Sequence, residues 1–369
     1  MCPVPDTPVK PLTNASVLLA ALFVLGGCAA TPDVRDRLTV PVELRSLEGA
    51  PPVEDGRALF RAIFCSTLRA DGLAASDDAA CGDRLWRLPD EPAANGADVA
   101  TPAALNRLKV ILVTGAFSEC VAEASRPFAA GAARLGAGGA EVRTIVVGGR
   151  SGTGHNARQI AAALDEAQFD PGDTVIAIGY SKGGLDLLRF LVDFPEAAQR
   201  VDAVVSVATP VFGTPLADLA APAYAALAAR LPYRKCPPGD GDVIRSLQPE
   251  VARQWLAEHP LPDSVRYYSL AGYTTSEHVA RALRPFWKHL SDIDLRNDGQ
   301  IVAGDAVIPG GTLLGYANAD HWGIAQTIES VHPVLAARPD PALFPLEQLF
   351  LAIVAFVYDD LRQRPAIAR

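Results

Sequence analysis

The chain has 369 residues, enough for one large α/β domain or two smaller ones with a sizeable core. Apolar residues make up 49% and charged residues 20%, which excludes a disordered chain. Thirty Gly and thirty Pro are spread without a period, which excludes collagen, and a net charge of −9 speaks against sequence-independent nucleic-acid binding.

Residues 17–25 (VLLAALFVL) form an unbroken apolar run. It is too short to span a bilayer, which takes about 20 residues, and it suits the hydrophobic region of a secretory signal. Leu25-Gly26-Gly27-Cys28 follows and resembles the bacterial lipoprotein lipobox. That resemblance implies a signal peptide over 1–27 and a lipid-modified Cys28 as the first mature residue. Ala29 behind it would not retain the protein in the inner membrane, so the outer membrane is the expected destination. A plain signal peptide, or a buried strand with an incidental Cys, is the alternative. The segment before the apolar run departs from the pattern, with only Lys10 against Asp6.

Six Cys occur, and Cys2 leaves with the signal. Cys65, Cys81, Cys120 and Cys236 remain beside Cys28, and an even count in an oxidising compartment suggests disulfides. Cys65–Cys81 closes a short loop and is the preferred pair. Cys120–Cys236 would then tie the early core to a later insertion. Free buried thiols are the alternative. No Cys/His spacing fits a structural zinc site, and no metal or cofactor is expected.

Residues 31–55 are polar and Pro-containing and read as a tether, opening an N-terminal extension over 28–107. Within it, 57–70 has helical spacing of Leu59, Phe60, Ile63, Phe64 and Leu68. From 108 the texture changes. Apolar runs at 109–113, 142–147, 174–178, 203–207 and 265–270 each lead into Gly or Pro within a few residues. Helical stretches at 127–135, 156–167 and 185–194 lie between them. Continuous apolar runs alternating with helices indicate a buried, mostly parallel sheet flanked by helices. Ligands bind at the carboxyl edge of such sheets. Residues 344–364 form a terminal helix with one apolar face, suited to core packing.

Gly179-Tyr180-Ser181-Lys182-Gly183-Gly184 carries the pattern G-x-S-x-G. A strand that turns sharply into a helix exposes the Ser hydroxyl, and glycines allow the close approach. The apolar run before it and the helical Leu spacing after it supply that context. A Ser hydroxyl needs a base, and the base needs an orienting acid. His321, in Asn318-Ala319-Asp320-His321-Trp322-Gly323, follows the last strands and is the candidate base, with His332 in reserve. His259 and His289 fall in helical segments, and His278 in a polar loop. Asp298, in Asn297-Asp298-Gly299, is the candidate acid, and Asp305 is its rival. Asp292, Asp294 and Asp320 are weaker choices. Gly148 to Asn156 is a glycine-rich loop without the Lys-Ser/Thr ending of a phosphate loop, so it reads as a rim loop with Asn156 capping the next helix.

Four pieces in order resemble bacterial triacylglycerol lipases of the α/β-hydrolase superfamily. They are Thr114-Gly115-Ala116, the Ser181 motif, Pro210-Val211-Phe212-Gly213-Thr214-Pro215-Leu216-Ala217-Asp218, and Asn-Asp-Gly followed by His321 at the lipase spacing. The resemblance covers roughly 108–323, within a hydrolase domain set at 108–369. It implies an α/β-hydrolase fold and ester hydrolysis through Ser181, His321 and Asp298, with an ester or lipid substrate. It also implies an oxyanion hole from the backbone N–H groups of Ala116 and Lys182. Thr114 replaces the usual His, which puts the hydrogen bonding of that loop in question. Residues 212–263 read as a helical, lid-like insertion with helices over 216–231 and 243–256. Tyr180, Phe117, Phe212 and Trp322 are the expected pocket lining. A thioesterase or amidase on the same three residues, or a non-catalytic envelope lipoprotein that binds a partner, are the alternatives. A lipid anchor would make the membrane a partner, and the sequence leaves oligomeric state open.

Overall fold

The computed structural model describes residues 34–74, 79–93, 105–118, 126–219, 237–330, 332–338 and 344–364. Cys28, Cys120, Cys236 and most of the expected 216–231 helix lie outside these residues. The chain divides into two compact units, 1–37 and 38–369. The second holds everything that follows.

Seven parallel strands form one sheet: β1 (Glu54–Asp55), β2 (Leu108–Val113), β3 (Glu141–Ile145), β4 (Thr174–Tyr180), β5 (Ala203–Val207), β6 (Arg266–Gly272) and β7 (Thr312–Ala317). Their spatial order is β1-β7-β6-β5-β4-β2-β3. Alternate residues of one strand feed two cores. Val110 and Leu112 face one, Ile111 and Val113 the other. Both faces are covered by helices, so the strands read as continuous apolar runs rather than alternating ones.

Helices α1 (Arg57–Ala70), α2 (Ala129–Ala137) and α7 (Leu346–Gln363) cover the first face. Phe60 and Phe64 of α1 and Phe350 and Phe356 of α7 are buried there. Helices α3 (Thr153–Asp165) and α4 (Lys182–Asp193) cover the second face with Ile160, Leu164, Leu187 and Leu191. Two further helices, α5 (Pro249–Glu258) and α6 (Arg284–Ser291), lie in the connections after β5 and β6. Among the described residues, no helix is long and apolar enough to cross a membrane.

Several sequence expectations need correction. Residues 38–55 are not a free tether. β1 adds to the edge of β7, and Arg45 Nε donates to Asp305 Oδ1 at 2.9 Å. β7 had no counterpart among the expected strands, because Gly315 interrupts its apolar run. The pairing of β7 with β6 is also irregular here: Ser269 faces Leu313 and Leu270 faces Gly315, which leaves Leu314 as an extra residue on β7. The helix expected from 243 begins at Pro249, whose ring is suited to the first helical position and lacks the donor needed further in. A 3-10 turn (Arg245–Leu247) precedes it.

Cys65 and Cys81 form a disulfide with Cα atoms 5.6 Å apart at a sequence separation of 16. It pins α1 to the segment leading to Trp86. Replacing both with Ser should lower the unfolding free energy by about 3 kcal/mol, the chain-entropy value for a loop of this length. Urea unfolding of the variant and the parent measures the difference.

Candidate active site

The chain leaves β2 for the edge strand β3 and returns to β4 on the other side of β2. This reversal opens a crevice at the carboxyl ends of β2 and β4. Gly115 lies two residues past the end of the first, and Ser181 directly follows the second. Ser181 sits at φ 54°, ψ −132°, a left-handed backbone that costs a non-glycine residue about 1–3 kcal/mol. Its N–H donates to Val207 O at 2.9 Å, which fixes the turn to β5. The neighbouring glycines are there for space. A Cβ on Gly179 would lie 2.4 Å from Gly184 Cα, and one on Gly183 would lie 2.5 Å from Val113 O. A Cβ on Gly115 would meet Ser181 Cβ at 2.9 Å.

The Ser181 hydroxyl lies 2.9 Å from His321 Nε2. His321 Nδ1 lies 2.7 Å from Asp298 Oδ2. Asp298 and His321 are buried. The other Asp298 oxygen accepts from the backbone N–H groups of Gln300 at 2.8 Å and Ile301 at 2.7 Å. Gly299 makes this turn at φ +90°. Backbone also ties the two loops together, with His321 N donating to Asp298 O at 2.8 Å. Buried Tyr180 donates its hydroxyl to His321 O at 2.7 Å, and burial pushes its pKa well above the usual phenol value, which keeps it a neutral donor.

The other candidates are engaged elsewhere. Asp305 pairs with Arg45, and its carboxyl titrates above the usual range because it is buried. Asp320 is taken up by other partners. One of its oxygens takes Arg338 Nη2 at 2.8 Å and Gly323 N at 2.7 Å, and the other takes Ala280 N at 2.6 Å. Arg338 also pairs with Glu329. Asp294 pairs with Arg296 at 2.7 Å. His259 Nδ1 lies against Trp255 O, and His278 Nδ1 against Thr275 Oγ1. Among the described residues, no group of three His, Cys, Asp or Glu side chains is gathered for a metal ion.

Ala116 follows β2 and Lys182 opens α4, so their N–H groups lie on the two loops that flank Ser181. As the first residue of a helix, Lys182 has no intrahelical acceptor for its N–H. Thr114 does not leave the first loop unsupported. Its hydroxyl accepts from Val147 N at 3.4 Å, Phe117 N donates to Gly149 O at 3.0 Å, and Ser118 Oγ donates to Gly115 O at 2.7 Å. Of the expected lining, Phe117 is half exposed on this loop, but Tyr180 and Phe212 are buried core side chains. Trp322 packs partly buried against Val279, Ala280 and Leu283.

Asn156 does not cap α3. Gly152 holds that position, and Asn156 is buried one turn in. Its Nδ2 donates to Asp186 Oδ2 at 2.7 Å. Asp186 also receives Lys182 Nζ at 2.6 Å across one turn of α4. This buried group was not visible in the sequence. The i,i+4 spacing of Lys182 and Asp186 was its one signal, and on a helix that usually marks a solvated pair.

The fold and this arrangement define an α/β-hydrolase. A solved metagenomic carboxyl esterase, MGS0156, is 35% identical, with 87% of this chain and 97% of that one covered at a TM-score of 0.79. Lipase BlEst2 of Bacillus licheniformis, in its mature form, is 26% identical over 62% of this chain and 92% of its own, at a TM-score of 0.48. No protein-family profile and no curated protein matches the sequence. The chain belongs to the carboxyl esterase family of the α/β-hydrolases. The share matched to the metagenomic esterase exceeds what residues 108–369 alone could supply, so part of the N-terminal extension has a counterpart there.

Two outcomes follow from these contacts. Gly183→Ala should destabilise the protein by about 1–3 kcal/mol, since its Cβ meets fixed carbonyls. Urea unfolding reads this. Burial raises the Asp186 pKa from 3.8 to about 6, against the opposing pull of Lys182 and Asn156. Folding therefore favours the protonated acid. The stability this gives is complete below pH 3.8 and is lost as pH rises through about 6. Asp186→Asn should flatten this part of the curve, measured as urea midpoints across that range.

Proposed function

We propose that the protein hydrolyses carboxylic esters through an acyl-enzyme on Ser181. The observation that carries this reading is the unbroken line Ser181 Oγ, His321 Nε2, His321 Nδ1, Asp298 Oδ2, with contacts of 2.9 and 2.7 Å at its two joints. Membership of the carboxyl esterase family supports it.

Ser181 Oγ attacks the ester carbonyl as His321 Nε2 takes its proton. The oxyanion that forms is met by the N–H groups of Ala116 and Lys182. The C–O bond to the alcohol then breaks, and His321 returns the proton to the departing oxygen. Water attacks the acyl-Ser181 carbonyl in the second half, giving its proton to His321. Collapse releases the carboxylic acid, and the proton restores the Ser181 hydroxyl. Asp298 fixes the imidazole tautomer and stabilises its charge while the proton is held. Its second oxygen is occupied by two backbone N–H groups, so the carboxylate is held at a single orientation.

The lipobox-like Leu25-Gly26-Gly27-Cys28 supports a further part of this reading. A lipid on Cys28 would anchor the enzyme to the outer membrane and hold the crevice near lipid-phase esters. The 212–263 insertion would cover the acyl chain.

The test is p-nitrophenyl ester hydrolysis, butyrate against palmitate, on protein beginning after Cys28. Ser181→Ala should lower kcat by about 10⁴-fold or more. Asp298→Asn should lower it by about 10⁴-fold through the wrong imidazole tautomer. Asp305→Asn should leave it within a factor of about two, since that carboxylate serves Arg45. Turnover that survives Ser181→Ala, or that falls with Asp305 and not Asp298, contradicts these assignments.

A further inference from the structure

Lys182 and Asp186 transfer no proton in the mechanism above, yet both are buried beneath the Ser181 turn, at 1% and 0% exposure. A buried ion pair is seldom more stabilising than apolar side chains of the same size. Its position suggests another role. Asp186 Oδ1 holds Lys182 Nζ at 2.6 Å, and Oδ2 holds Asn156 Nδ2 at 2.7 Å. The same amide nitrogen reaches Gly148 O at 3.1 Å. The next residue, Gly149, accepts Phe117 N at 3.0 Å. Phe117 follows Ala116 directly and takes a left-handed φ of 60°. A chain of contacts thus runs from the residue after Ser181 to the residue after Ala116. Its sense is fixed, because an ionised carboxylate only accepts, so Asn156 must turn its nitrogen inward. That leaves buried Asn156 Oδ1 without a protein partner, a cost the arrangement bears.

We propose that Lys182, Asp186 and Asn156 are positioning residues that hold the Ala116 and Lys182 N–H groups at the separation the oxyanion requires. The inference rests on the acyl-enzyme reading above. Such a device acts on the transition state and leaves ground-state binding alone. Its loss therefore lowers kcat while KM stays constant.

The experiment compares the parent with Asn156→Leu and with the double substitution Lys182→Met, Asp186→Leu, which replaces the ion pair by apolar volume. Asn156→Ser is a third variant, mild enough to fold where the others do not. Three constants are read for each: kcat and KM on p-nitrophenyl butyrate, and Ki for an alkyl trifluoromethyl ketone, whose adduct on Ser181 carries the oxyanion. Urea midpoints give the folded fraction. The expected result is a kcat about ten- to a hundredfold lower with KM within about twofold, and a Ki that rises as kcat/KM falls. Folded variants with a kcat within about twofold of the parent overturn the inference. So does a loss that only tracks the unfolded fraction. Parent turnover that survives Ser181→Ala sinks the underlying reading instead, and is told apart by that single control.

Discussion

The turn from β4 into α4 brings backbone against backbone, with Gly179 against Gly184 and Gly183 against the last carbonyls of β2. No side chain fits at either place. This close approach holds Ser181 at positive φ, lifts its hydroxyl above the sheet edge, and sets the start of α4 beside the loop that leaves β2. The rest of the site is arranged around that fixed hydroxyl. The strain is local, and it is offset by the burial of the strands beside it, where every residue of β5 and all of β4 but Thr174 are buried.

The imidazole reaches the hydroxyl because two loops are locked to each other. Asp298 is held by backbone donors from its own turn, and the His321 loop is held by Asp320, whose carboxylate is saturated by Arg338 and two N–H groups. Asp298 and Asp320 thus have opposite tasks. One faces the imidazole with an oxygen to spare, and the other is fully used in fixing the loop. Tyr180 closes the arrangement from the sheet side by anchoring the His321 carbonyl.

Much of the fold could be read from sequence because a doubly covered parallel sheet writes continuous apolar runs, and 203–207 coincides with β5 to the residue. β7 was harder, since Gly315 breaks its pattern and the extra residue Leu314 interrupts its register with β6. Ser181 could be singled out because a sharp strand-to-helix turn demands glycines at set spacing. Spacing to His321 favoured Asp298 over Asp305, but what engages Asp305 could not be read, since its partner Arg45 lies 260 residues away in a segment that reads as a tether. The buried Lys182–Asp186–Asn156 group stayed hidden for a similar reason. Each residue taken singly has a plausible surface or capping role, and only the packing of α3 on α4 brings them together. The Cys65–Cys81 bridge was legible from its short loop, whereas Cys120 and Cys236 lie outside the described residues.

The covalent intermediate is the most direct point of attack. Protein mixed with p-nitrophenyl palmitate, quenched in acid within the first turnovers and weighed intact, should gain the mass of one palmitoyl group. Peptide mapping should place that mass on Ser181, and the Ser181→Ala protein should gain none. An acyl group on another residue, or steady turnover with no acylated protein at any quench time, would contradict nucleophilic catalysis by Ser181.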